Sequence, residues 1–288
     1  MKKLLILFII CIITLSGCSK QETAQIAAST MPVAEFTAAI CDGTGLTVSQ
    51  LITEEISCLH DYTVQVSQMR AIEDAEVVIL SGAGLEVFLE DTLRNTQHII
   101  DASAGIETIC QHNHSHSHST HHHEEDPHIW LSPNNAMQMC RNICMELCIH
   151  YPEYALQFES NLDSILQRLE SLQHYGEQTL ENLTSRNLIT FHDGFSYFAN
   201  SFDLTILKSI EEESGSEASA LDLLQLIELV DNNNVPAIFV ESNGSRSAAE
   251  IVAQETSTKI FTLNMAISGK SYFDAMYKNI DTIKEAMG

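Results

Sequence analysis

The segment from His112 to Trp130, HNHSHSHSTHHHEEDPHIW, holds eight of the thirteen histidines in the chain. Imidazole is the commonest metal-ligating side chain, so a density of this kind speaks of metal. Seven of the eight, His112, His114, His116, His118, His121, His122 and His123, fall in a repetitive stretch broken by serines. Such a tract can bind ions without folding. The chemical question is therefore which histidine belongs to a defined site, and what architecture would hold it.

Around the tract the chain alternates between strand-like and helix-like segments. PVAEFTAAI and AEVVILSGAGLEVFLEDTL read as strand then helix, and HIIDAS as a short strand. SPNNAMQMCRNICMELCIHYP opens a helix with Ser-Pro at its start. From Pro152 to Leu183, Leu162, Ile165, Leu166, Leu169 and Leu172 recur at three and four residues and mark one apolar stripe. Unbroken, that helix would run about 45 Å, a length suited to bridging two units. Strand–helix alternation then resumes with NLITF, LTILKSI, ALDLLQLIELV, VPAIFVE, SAAEIVAQETS, KIFTLN and SYFDAMYKNIDTIKEAM. The expected fold is α/β, with two lobes each built on a mainly parallel sheet flanked by helices and joined by one long helix. The expected boundaries are a lobe over 28–150, which carries the His-rich loop 112–125, a linking helix over 151–185, and a second lobe over 186–288.

Composition narrows the partners. Fourteen Lys plus Arg stand against 39 Asp plus Glu, a formal charge of -25, which argues against nucleic acid and favours attraction of cations. The N-terminus places Lys2 and Lys3 before an apolar stretch from Leu4 to Leu15, too short for a membrane span of about 20 residues. It reads as an export signal over 1–17. Leu15-Ser16-Gly17-Cys18 resembles the processing site of bacterial lipoproteins, which implies cleavage before Cys18, lipidation of its thiol and a polar tether over 18–27. The mature chain is then expected outside the cytoplasm, anchored to the outer face of the cell membrane.

Six cysteines remain: Cys41, Cys58, Cys110, Cys140, Cys144 and Cys148. An exported chain would ordinarily pair them. The last three recur every four residues on one helix face, where a disulfide between them is geometrically poor, so they read as small buried hydrophobes.

CLHDYTVQVSQMRAIEDAEVVILSGAGLE, DPHIWLSP, FHDGFSYFA and PAIFVESNGS together resemble the zinc- and manganese-binding solute-binding lipoproteins of bacterial ABC importers. The resemblance covers nearly all of the mature chain. It implies two α/β lobes joined by a rigid helix, a metal cleft between them, a cognate ABC permease as partner, and action as a monomer. Carried over by motif, the ligands fall on His60 in LHDY, His128 in DPHIW and His192 in FHDGF. Histidine at the third position implies Zn(II) rather than Mn(II), since imidazole suits zinc whereas manganese prefers oxygen. The fourth position departs from the pattern: FTLNMAIS puts Asn264 where many members have Asp. Water, or a carboxylate from Glu211–Glu213, is the alternative fourth donor. Within the opening segment, Pro127 and Trp130 mark where structured sequence resumes, so His128 is the expected ligand, and the seven others form an auxiliary loop at the cleft mouth.

Other residues read more blandly. His98, His150 and His174 are expected at the surface or packed, Glu241 and Arg246 as mainly structural, and GAGLE as a loop. Three histidines with an open position also describe a catalytic zinc, but the chain has no His-Glu-x-x-His and no nucleophile elbow, so an enzyme is not expected. An adhesin or a metal-storage lipoprotein is the remaining alternative.

Overall fold

In a computed structural model, the structure describes residues 24–56, 59, 62–109, 125–211, 219–242 and 246–288, without the side chains of His192 and Glu211. The signal peptide, Cys18, His60, Cys58, Cys110, the seven-histidine tract and Glu212–Glu213 lie outside the described residues.

Two four-stranded sheets are present, and every pairing in both is parallel. The first comprises β1 (Ile26–Ala28), β2 (Val48–Gln50), β3 (Val77–Leu80) and β4 (Ile99–Asp101) in the order β2-β1-β3-β4. The second comprises β5 (Asn187–His192), β6 (Thr205–Glu211), β7 (Ala237–Glu241) and β8 (Lys259–Leu263) in the order β6-β5-β7-β8. Helices cover both faces, which is why the central strands are apolar runs without alternation; Ala237 to Glu241 is buried at every position.

The stretch from Pro32 is not strand but α1 (Met31–Ile40), buried on nearly all sides. A short apolar run lacks the periodicity that separates a buried helix from a buried strand, and here Pro32 in the first turn tips the balance. The first strand lies earlier, at Ile26–Ala28, and takes in two residues of the expected tether. Downstream come α2 (Val66–Asp74) and the short α3 (Glu90–Leu93). The helix α4 (Pro133–His150) starts as expected, with Ser132 Oγ accepting from Asn135 N.

The linking helix is α5 (Ala155–Thr179), entered through a 3-10 turn at Pro152–Tyr154 and thus shorter than the apolar stripe suggested, at about 37 Å. Ile165, Leu169 and Leu172 of the stripe are buried, while Leu162 and Leu166 are partly buried against the core. Each half of α5 is tied to a different lobe. Asn161 Nδ2 donates to the carbonyls of Ile40 and Asp42 at 2.8 Å each, and Gln173 Nε2 donates at 3.2 Å to the carbonyl of Ser201, the last residue of α6 (Ser196–Ser201). The remaining helices are α7 (Ala220–Asn233), α8 (Ser247–Thr256) and α9 (Tyr272–Met287). One apolar core runs through both lobes, from Ile26 and Trp130 to Phe198 and Ile280, and a smaller one fills a face of the second sheet. Cys140 and Cys144 are buried and Cys148 half-buried, all as free thiols, in keeping with their reading as small hydrophobes.

Candidate metal centre

In a parallel sheet, all carboxyl ends point the same way, and ligands collect where neighbouring strands send their connections to opposite sides. In the second sheet that place is between β5 and β7. His192 ends β5 and pairs in register with Glu211 at the end of β6; Glu241 ends β7, and Asn264 follows Leu263 at the end of β8. Thr190 pairs with Phe239, so two residues further on His192 and Glu241 stand at one level on adjacent strands. Residues far apart in sequence thus reach one sheet edge because the strands are parallel.

His128 comes from the other lobe. Its side chain is 2% exposed, and Nδ1 lies 2.8 Å from Asp126 Oδ1. The same oxygen accepts from the His128 backbone N at 2.9 Å. A carboxylate oxygen held this way accepts a hydrogen bond from Nδ1–H and so assigns the lone pair to Nε2, the tautomer a metal ligand requires. The support around this pair is rigid. Tyr197 Oη donates to Asp126 O at 2.8 Å, and the Trp130 ring meets the imidazole edge-on with centroids 5.4 Å apart. Trp130 Nε1 in turn donates to Met265 O at 2.8 Å, and Tyr272 Oη donates to Trp130 O at 2.9 Å. One tryptophan therefore joins the turn bearing His128 to the loop bearing Asn264.

Asn264 is pinned. Its backbone N donates to Asn279 Oδ1 at 2.8 Å, its carbonyl accepts from Asn279 Nδ2 at 2.7 Å, and its own Oδ1 accepts from Ala266 N at 2.7 Å. A cavity of about 140 Å³ opens beside it, lined by Glu55, Ile56, Glu241, Ser242 and Ser268 among others. Glu55 and Ile56 belong to the loop that leads to His60, so the cavity lies between the lobes. Close to His60, Leu59 is buried and Tyr62 Oη donates to Glu54 Oε2 at 2.8 Å.

Three acidic side chains carry more structure than their sequence context signalled. Asp126 lies inside DPHIW but shows its role only through the turn at Pro127. Glu241 is buried at the mouth of the second sheet. Glu86, in the GAGLE loop, is buried across the carboxyl ends of β1 and β3. It accepts from Ser29 Oγ at 2.6 Å, Ser81 N at 2.7 Å and Gly82 N at 3.1 Å. Burial pushes its carboxyl up to about 7, and the three hydrogen bonds offset only part of that rise. Arg246 is exposed and reaches Thr262 Oγ1 at 3.3 Å.

A family model described as zinc-uptake complex component A, periplasmic, matches residues 26–286. The chain belongs to this family. Among its relatives, the zinc-binding lipoprotein AdcA of Streptococcus pneumoniae is 28% identical over 99% of this chain, which spans 61% of that protein's length. A crystal structure of ZnuA is 28% identical, with a TM-score of 0.82 over 92% of this chain and 100% of its own. The Zn(II)-bound ZnuA-like domain of the pneumococcal AdcA is 25% identical, with a TM-score of 0.75 over 91% of this chain and 98% of its own. Members of the zinc-uptake family thus share the two-lobed α/β architecture described above.

Proposed function

We propose that the chain captures Zn(II) outside the cytoplasm and delivers it to the permease of an ABC importer. In this reading His60, His128 and His192 ligate the ion in the cleft between the lobes, with Asn264 or water at the fourth position. Cys18 carries the lipid that holds the protein to the membrane, and the histidines from 112 to 123 gather ions at the cleft mouth. The observation that carries the reading is the buried His128–Asp126 pair, built into a turn that is bolted to the opposite lobe through Trp130. A buried imidazole with its tautomer set by a carboxylate is the arrangement expected of a metal ligand. Binding without turnover is supported by the family's description as a component of a zinc-uptake complex.

Metal content of the purified untagged protein, measured by native mass spectrometry, tests the proposal. One tightly held zinc per chain is expected, lost on His128→Ala. A chain that retains manganese in preference to zinc, or that keeps its tight zinc in the His128→Ala variant, would overturn it.

A further inference from the structure

A sizeable cavity lies away from the cleft. It measures about 760 Å³ and opens at the other end of the first sheet, where β3 and β4 begin. Two histidines meet on its wall. His98 immediately precedes β4, and its carbonyl is held by Val78 N at 2.9 Å. His150 is the last residue of α4, and the next residue, Tyr151, anchors that helix end by donating from Oη to Glu76 Oε2 at 3.0 Å. The two imidazole centroids lie 4.3 Å apart, with the rings inclined at 68°.

We propose that His98 and His150 form a second metal site, separate from the cleft, for a divalent ion that favours square or tetragonal coordination, such as Cu(II) or Ni(II). The ring spacing favours the cis geometry of such an ion. Two imidazoles bound cis to one metal at about 2 Å each have ring centres roughly 4.5 Å apart, whereas tetrahedral zinc spreads them to about 5 Å. The observed separation of 4.3 Å is nearer the first figure. Among the described residues no three His, Cys, Asp or Glu side chains are grouped to hold a metal, so water completes the shell, and the open cavity admits it. Electrostatics point the same way. The cavity wall carries Glu73 and Glu76 and neither lysine nor arginine, and His150 sits at the negative end of the α4 dipole. The site goes beyond the proposed capture of zinc, since it uses neither the cleft nor the histidine tract.

The test uses the chain with residues 112–123 deleted, so that the tract does not compete, saturated with zinc. One equivalent of Cu(II) is added, and the electron paramagnetic resonance spectrum is read for coupling to ligand nitrogens. A two-nitrogen pattern is expected, lost in His98→Ala and in His150→Ala. Zinc retention, measured on the same samples, reads the cleft independently and is expected to be unchanged by either substitution. His98 is exposed, so its replacement leaves the fold intact. A nitrogen pattern that persists in both variants, or copper that is not retained at all, would sink the proposal.

Discussion

His128 Nδ1 lies 2.8 Å from Asp126 Oδ1, and both side chains are almost fully buried, at 2% and 1% exposure. The pair spans only two residues, because Pro127 turns the chain so that the carboxylate meets the ring and the backbone N of the same histidine. Replacing Asp126 by Asn preserves the shape but removes the charged acceptor that orients the imidazole. Zinc affinity is expected to fall by about 10–100-fold, less than in His128→Ala. Competition with a chelator of known affinity measures both variants. Equal affinity in Asp126→Asn and the parent would show that the carboxylate serves folding alone.

The tract and the cleft are expected to separate on deletion. Removing residues 112–123 should abolish weak, multiple zinc binding and leave the tight site. His128→Ala should do the reverse. Isothermal titration of the two variants reads this directly, and loss of the tight site on loop deletion would mean that the chemistry resides in the tract.

Asn264 offers a test of charge. Its Oδ1 accepts from Ala266 N, and an Asp in its place can keep that bond with one oxygen and offer the other to the ion. Zinc bound by three neutral imidazoles carries its full +2, so Asn264→Asp is expected to tighten binding, chiefly through a slower off-rate. Stopped-flow transfer to a fluorescent chelator measures that rate. A rate no slower than the parent's would place residue 264 beyond reach of the ion.

Glu86 predicts a pH dependence of stability. Its carboxyl rises from the usual 4.5 to about 7 because it is buried. A raised carboxyl contributes stability that is complete below about 4.5 and is lost as pH climbs through 7. Glu86→Gln mimics the protonated acid and does not titrate. Urea melts from pH 5 to pH 8 should show the parent losing stability relative to the variant across that window. Parallel curves would mean that the hydrogen bonds from Ser29, Ser81 and Gly82 hold the carboxyl near its ordinary range.

The second lobe was more legible in sequence than the first, for physical reasons. Its strands run five to seven residues, long enough to show a β-branched and apolar pattern between helical stretches, and each was read close to where it stands. In the first lobe β1 and β2 have three residues each, too few for any pattern, and α1 is buried nearly all round. Of the centre, the motif around His128 was visible but the use of Asp126 was not, since carboxylates near histidines are common and only the turn brings these two together. The meeting of His98 and His150 had no local signal. It arises because the start of β4 and the end of α4, 52 residues apart, arrive at the same edge of the sheet.

Trp130 carries a mechanical consequence. It is fully buried, bonded to Met265 on one side and to Tyr272 on the other, within a core that is continuous from lobe to lobe. Swinging the lobes apart as solid bodies would strand its indole N–H and tear that core, whereas displacing a cleft-side loop disturbs neither. The protein is built as a fixed jaw and not as a trap with a spring. Under the proposed function, loading and unloading would fall to short segments at the rim, and a permease that empties the cleft would need only to pry at those segments, with no work done against the frame.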